Sequence, residues 1–278
     1  MNGLSNLGPS PLIIDESNAD HFVREIRDEH SPYFGGYDPS LYNEGGLAAL
    51  CNRDWDGPLI PESEWRDRIA WQEEHRTSPD HWRRFKNSKV LDQKRTNYCW
   101  CFGVGGAAQN AIAMTGADVP HLSPAYTAAM IKGFRNVGGW GAEAIDGIQK
   151  FGMPTTDVYP EGVIDRQRAD QDSVRRSAKL FDQLEFIRLP TERGVVPMEV
   201  MASVLLADSP MPITCGYNWW GHLVFASQFG YSGGWGGTIV NSWSERWGNQ
   251  GCGFLKGSKF TPNEGIAIRW VEARNDIA

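Results

Sequence analysis

A chain of 278 residues can hold one large domain with an extension or two small domains, and 41% hydrophobic content with 12 Trp and 12 Phe is the composition of a globular protein. The net charge of -7, with no block of Lys or Arg standing clear of acids, argues against binding led by phosphate contacts, so nucleic acid is not an expected partner. The N-terminus lacks a basic stretch followed by a long apolar one, and no run of about 18 apolar residues occurs. The expectation is a protein without membrane span or export signal, cytoplasmic or virion-associated.

Residues 1–76 read as an extension rich in Gly, Pro, Asn and acids, with two short helices. One runs from Ala19 to His30, with Phe22, Val23 and Ile26 on one face. The other runs from Glu62 to His75 with Trp65 and Ile69 on one face, although Gln72 interrupts that face and Trp71 lies off it. Between them, YFGGYDPSLYNEGG reads as turns. The aromatic residues of this stretch have no evident core of their own, which suggests permanent packing on the rest of the chain and cover over any cleft there.

From Asn97 the character changes. CWCFGVGGAAQNAIAMTG is apolar nearly all round and ends at Gly116, so it predicts a buried helix, with Gly105 and Gly106 implying close approach of a neighbour. Leu122 to Phe134, Gly141 to Phe151 and Met198 to Ala207 follow as helices. After Pro212, PITCGY, HLVFASQFGY, GGTIVNSW and GCGFLKG read as strands separated by glycine turns. A helical front half and an antiparallel back half predict an α+β fold of two lobes.

Five cysteines, Cys51, Cys99, Cys101, Cys215 and Cys252, show no zinc spacing, and an odd count leaves at least one sulfur unpaired. Cys99 enters the buried helix, where free N–H groups and the helix dipole favour a thiolate. Cys101, two residues along, faces nearly the opposite way and reads as core. Gln93 has a side-chain amide that can stand beside the Cys99 N–H, giving two donors for an oxyanion. His222 opens one strand and Asn241 ends the next, so a hairpin can bring imidazole and amide together and leave the second ring nitrogen for the sulfur.

These residues resemble a known family. Gln93 through Phe102, QKRTNYCWCF, is similar to the segment around the nucleophile of papain and cathepsin peptidases, and Asp80 through Arg83 to the start of their mature domain. Gly138-Gly139-Trp140 resembles their substrate strand, and NSWSERWGNQGCG from Asn241 to Gly253 their Asn-Ser-Trp block. The resemblance implies a papain-like peptidase domain over 77–278: a helical left lobe with a central buried helix, and an antiparallel β right lobe. It implies that Cys99 attacks, His222 shuttles the proton, Asn241 orients the ring and Gln93 stabilises the oxyanion. Trp243 would shield the His–Asn bond, and Gly138, Gly139, Trp140 and Gly221 would line the bound polypeptide. No cofactor or metal is implied, and His21, His30, His75, His81 and His121 lack metal-ligand spacing.

The departures are also specific. Thr96 replaces a disulfide cysteine, which fits a reducing compartment. Tyr98 replaces a small residue before the nucleophile, Leu223 follows the histidine, and the Pro212–His222 connection is short. In place of a prosegment signature stands residues 1–76, prosegment-like or permanently packed. Two other readings stay open: an inert papain-fold protein joined to a virion or other assembly through this extension, and a lytic hydrolase of peptidoglycan cross-bridges.

Overall fold

The computed structural model describes residues 11–41, 43–178 and 183–271, so the first ten residues of the extension, Tyr42, residues 179–182 and the C-terminal seven residues lie outside the description. Ile13–Ile14 form β1, and Ala19–Arg27 form α1, which buries Phe22 and stops three residues before His30. Glu44–Leu50 form α2, a helix that begins in the last three residues of the stretch read as turns, started by the Asn43 side chain accepting from the Gly46 N–H. Arg53–Asp54 form β2 and Glu62–His75 form α3. Gln72 belongs to the buried face of α3 because its amide donates to the Leu205 carbonyl at 2.8 Å, while Trp71 lies outside and stacks on His75. Pro79–Phe85 form α4, capped by Ser78.

Cys99–Met114 form α5, with every residue from Cys99 to Ala113 buried. Its glycines are required by contact: a Cβ at Gly105 would lie 2.4 Å from Pro124, and one at Gly106 would lie 2.7 Å from the Phe225 ring. Pro124–Ile131 form α6, Gly141–Phe151 α7, Arg166–Ala169 α8 and Asp172–Ala178 α9. Leu184–Arg188 form β3, a strand that the sequence reading passed over, and Met198–Leu205 form α10. The remaining strands are β4 (Ile213–Tyr217), β5 (His222–Tyr231), β6 (Trp235–Val240), β7 (Cys252–Lys256) and β8 (Glu264–Trp270).

One eight-stranded sheet runs in the order β1-β7-β6-β5-β4-β8-β3-β2. Its central pairs are antiparallel, and both edges are parallel additions from the N-terminal stretch, β1 on β7 and β2 on β3. Alternation along β5 divides the interior. Leu223 and Phe225 join a core around α5, α6 and α7, whereas Val224 and Ala226 join a second core with Trp65 and Ile69 of α3 and Val204 of α10. The result is the α+β architecture of a helical lobe against an antiparallel sheet lobe, with α5 packed along the junction.

Candidate active site

His222 is the first residue of β5 and Asn241 follows the last residue of β6, so the β5–β6 ladder, with Phe225 opposite Val240, brings them together. The His222 Nε2–H donates to Asn241 Oδ1 at 2.8 Å. The same oxygen accepts the Ser242 N–H at 2.7 Å, which fixes the amide with its oxygen toward the ring. Nδ1 is thereby left as the unprotonated nitrogen, and it meets no hydrogen-bond partner among the described residues. Trp243 stacks on the imidazole with ring centres 4.5 Å apart, and the edge of Trp220 closes on it at 4.9 Å. Burial pulls the His222 pKa down to about 4, against the Asn241 hydrogen bond that favours the charged ring.

Cys99 opens α5 and is fully buried. The sequence reading expected helix entry to favour its thiolate. Here burial pushes the thiol up to about 12, although the N–H groups of Leu223, Tyr37 and Trp100 face the sulfur and favour its anion. Desolvation wins because no water reaches the group, so in this closed arrangement both thiol and imidazole are neutral at pH 7. The Leu223 N–H places the sulfur beside the residue that follows His222. Gln93 is also buried: its Nε2 donates to the Thr96 carbonyl at 2.7 Å and to the Phe34 carbonyl at 2.9 Å, while Oε1 accepts from Ser242 Oγ at 2.6 Å.

The Phe34 contact comes from the N-terminal stretch. Tyr33 stacks on Trp243 with ring centres 4.8 Å apart, and the Phe34 carbonyl also accepts the Trp243 Nε1–H at 3.1 Å. The Gly36 and Tyr37 N–H groups both donate to the Gly221 carbonyl at 3.2 Å. Gly139 donates to the Gly36 carbonyl at 2.9 Å and accepts from the Asp38 N–H at 2.9 Å, a parallel bridge between Tyr37 and Gly139. Two glycines let the strap lie this close. A Cβ at Gly35 would sit 2.8 Å from the Gly221 carbonyl oxygen, and Gly36, at φ 140°, would drive one to 2.2 Å from the Asn97 oxygen. Gly138 is as tight, 2.6 Å from the Gly36 oxygen, whereas the Trp140 ring packs toward Gly46 of α2.

Sequence reading gave no role to Ser242 or Glu264, and it placed Phe34 and Tyr37 only among the aromatic residues of the extension expected to cover a cleft. Ser242 is adjacent to Asn241 and could have been tested as a support for Gln93; Phe34 and Tyr37 sit in a turn-like stretch whose partners are remote in sequence. Tyr98 is buried, donates to the Arg135 carbonyl at 2.8 Å and sets its edge on Trp100. Cys101 is buried, its thiol donating to the Pro124 carbonyl at 3.3 Å. All five cysteines are free thiols. Among the described residues no group of acidic, His or Cys side chains could hold a metal ion, and no helix is long and apolar enough to cross a membrane.

This topology, a buried helix packed along the junction of a helical lobe and an antiparallel sheet lobe, is that of the papain-like fold. The chain is similar to procathepsin L 3 from the larval midgut of Tenebrio molitor, at 16% identity, 92% coverage of this chain and 88% of that one, with a TM-score of 0.54. It is similar to xylellain, a cysteine protease from Xylella fastidiosa, at 15% identity over 86% of this chain and 96% of that one, TM-score 0.55. The bromelain protease from Ananas comosus, solved with the E64 inhibitor, matches at 19% identity over 68% of this chain and 97% of that one, TM-score 0.51. No family model and no curated protein matches the sequence. The likeness therefore lies in the fold, with few residues in common.

Proposed function

We propose that this chain is a cysteine peptidase acting on polypeptide, held closed by residues 33–38. The observation that carries the reading is the His222–Asn241 hydrogen bond, which leaves Nδ1 unprotonated on the same junction as Cys99. When the strap lifts and water re-enters, Nδ1 takes the thiol proton and the sulfur attacks the substrate carbonyl carbon. The carbonyl π electrons move to oxygen, where the Gln93 Nε2–H, released from Phe34, donates. Collapse expels the amine, which takes the proton from His222, and leaves a thioester; water, deprotonated by His222, then hydrolyses it.

The N-terminal 76 residues, on this reading, stay with the 77–278 peptidase domain. Their supports are the two edge strands and the side chains of Phe22, Trp65 and Ile69 in the sheet-lobe core. That a procathepsin aligns with more of this chain than the bromelain protease does agrees with an added segment across the cleft.

An epoxide or chloromethyl-ketone electrophile with mass mapping tests the chemistry. Labelling is expected at Cys99, absent in Cys99→Ala and sharply reduced in His222→Ala; labelling at Cys101 instead overturns the assignment. The second reading, an inert papain-fold component, is favoured by the occupied cleft and the neutral thiol. It gains the argument if Cys99 stays unlabelled after the strap is loosened by Gly36→Ala.

A further inference from the structure

Tyr37 does more than cross the cleft. Its ring lies against Gly216 of β4, where a Cβ would come within 2.7 Å of the ring carbons and 3.0 Å of the hydroxyl oxygen. Gly216 stands opposite Glu264 in the β4–β8 register, and the Tyr37 hydroxyl reaches toward the Glu264 carboxyl. Glu264 is fully buried. Its carboxyl faces three donors: the N–H groups of Gly141 and Ala142, which open α7, and the Tyr37 hydroxyl. Gly141 is itself shaped to it, since a Cβ there would lie 2.3 Å from a carboxyl oxygen. One glycine thus makes room for a flat ring and another for an acid at its tip.

Resting on the peptidase reading above, we propose that Gly216 and Glu264 form the specificity pocket of the cleft, a slot that accepts a tyrosine side chain of the substrate in place of Tyr37. The slot opens at the bridge between Tyr37 and Gly139, and the Tyr37 N–H faces the Cys99 sulfur, so a side chain entering it belongs to a residue next to the reacting sulfur. A phenol fills the flat space and gives the carboxyl a donor, whereas phenylalanine fills the same space and leaves a buried acceptor unsatisfied. That asymmetry is the usual source of strong discrimination between analogues that differ by one hydroxyl. A cation is a poorer match, because burial pushes the carboxyl pKa up to about 7 and leaves much of it uncharged at neutral pH. Glu264 is therefore assigned to substrate contact rather than to the chemistry of bond breaking.

The test uses the full chain carrying Tyr37→Ala, which empties the slot. Peptidyl epoxides that differ only in tyrosine or phenylalanine at each position are compared by the rate of Cys99 adduct formation. At one position tyrosine is expected to label at least about 10-fold faster, a ratio that falls toward one in the added Glu264→Leu background. Equal rates, or faster labelling by lysine or arginine peptides, overturn the pocket while leaving the peptidase reading intact. If no peptide labels Cys99, the peptidase reading fails, and the slot is still decided by p-cresol against toluene: p-cresol is expected to raise the melting temperature of Tyr37→Ala more, and equal effects overturn it. Should Tyr37→Ala not fold, Tyr37→Phe takes its place in the labelling comparison, where the same tyrosine preference is expected and its absence is decisive.

Discussion

Gly36 is the residue on which the closed state turns, because its φ of 140° and its contact with Asn97 leave no space for a side chain. Gly36→Ala is expected to lift the strap, lower the melting temperature and raise Cys99 labelling by roughly 10-fold or more, read by mass spectrometry. Opening the cleft also returns water to the pair, so the opened variant is expected to show a bell-shaped pH–rate profile that the wild type lacks; a rate rising steadily with pH counts against an ion pair. Two buried groups act on stability with opposite sign. His222 falls from 6.5 to about 4, so the unfolded chain binds its proton first and stability is lost as pH falls through that window, by roughly 3 kcal/mol in all. Glu264 rises from 4.5 to about 7 and the folded chain holds its proton longer, so stability is lost as pH rises through that range. Between about pH 4.5 and 6.5 the two effects offset one another, and urea unfolding of Glu264→Gln is expected to show a climb with pH there that the wild type does not. The residues of the His–Asn pair were legible from their places at strand ends. Glu264 was not, because a lone acid in an apolar strand declares no partner until the chain is folded.

Among the elements, α5 shows most directly how packing overrides propensity. Gly105→Ala gains about 1 kcal/mol of helix propensity but forces a Cβ to 2.4 Å from Pro124, and the net is expected to be a loss of about 1–3 kcal/mol in chemical denaturation. That helix was readable as an unbroken apolar run, α7 as a helical pattern, and the β5–β6 hairpin as two β-branched and aromatic runs around a glycine turn. α3 was read with its bounds correct but its face incomplete, since Gln72 is buried through a hydrogen bond to Leu205 that no periodicity announces. The strands β1 and β2 escaped notice because two residues carry no period at all; their existence depends on the edges of β7 and β3.

At the scale of the whole molecule, the N-terminal stretch completes the sheet it covers. Removing Met1 to Arg76 strips both edge strands and takes Phe22, Trp65 and Ile69 from the sheet-lobe core, so the truncated chain is expected to aggregate or to unfold at much lower denaturant. A well-folded truncated chain with unchanged peptidase rate overturns this arrangement. Composition already indicated that the aromatic residues of this stretch lacked a core of their own; that they are shared between the sheet-lobe core and the strap over the candidate site could emerge only from three-dimensional pairing. Because β1 and β2 hold the strap on opposite edges of the same sheet, its release is the opening of a loop and not the departure of a ligand. On the peptidase reading, dilution cannot free the site, and a substrate would compete with a tethered occupant whose effective concentration is on the order of millimolar for short flexible connections. A single backbone cut inside the strap would leave both halves anchored, converting a fixed cover into two ends that exchange with substrate.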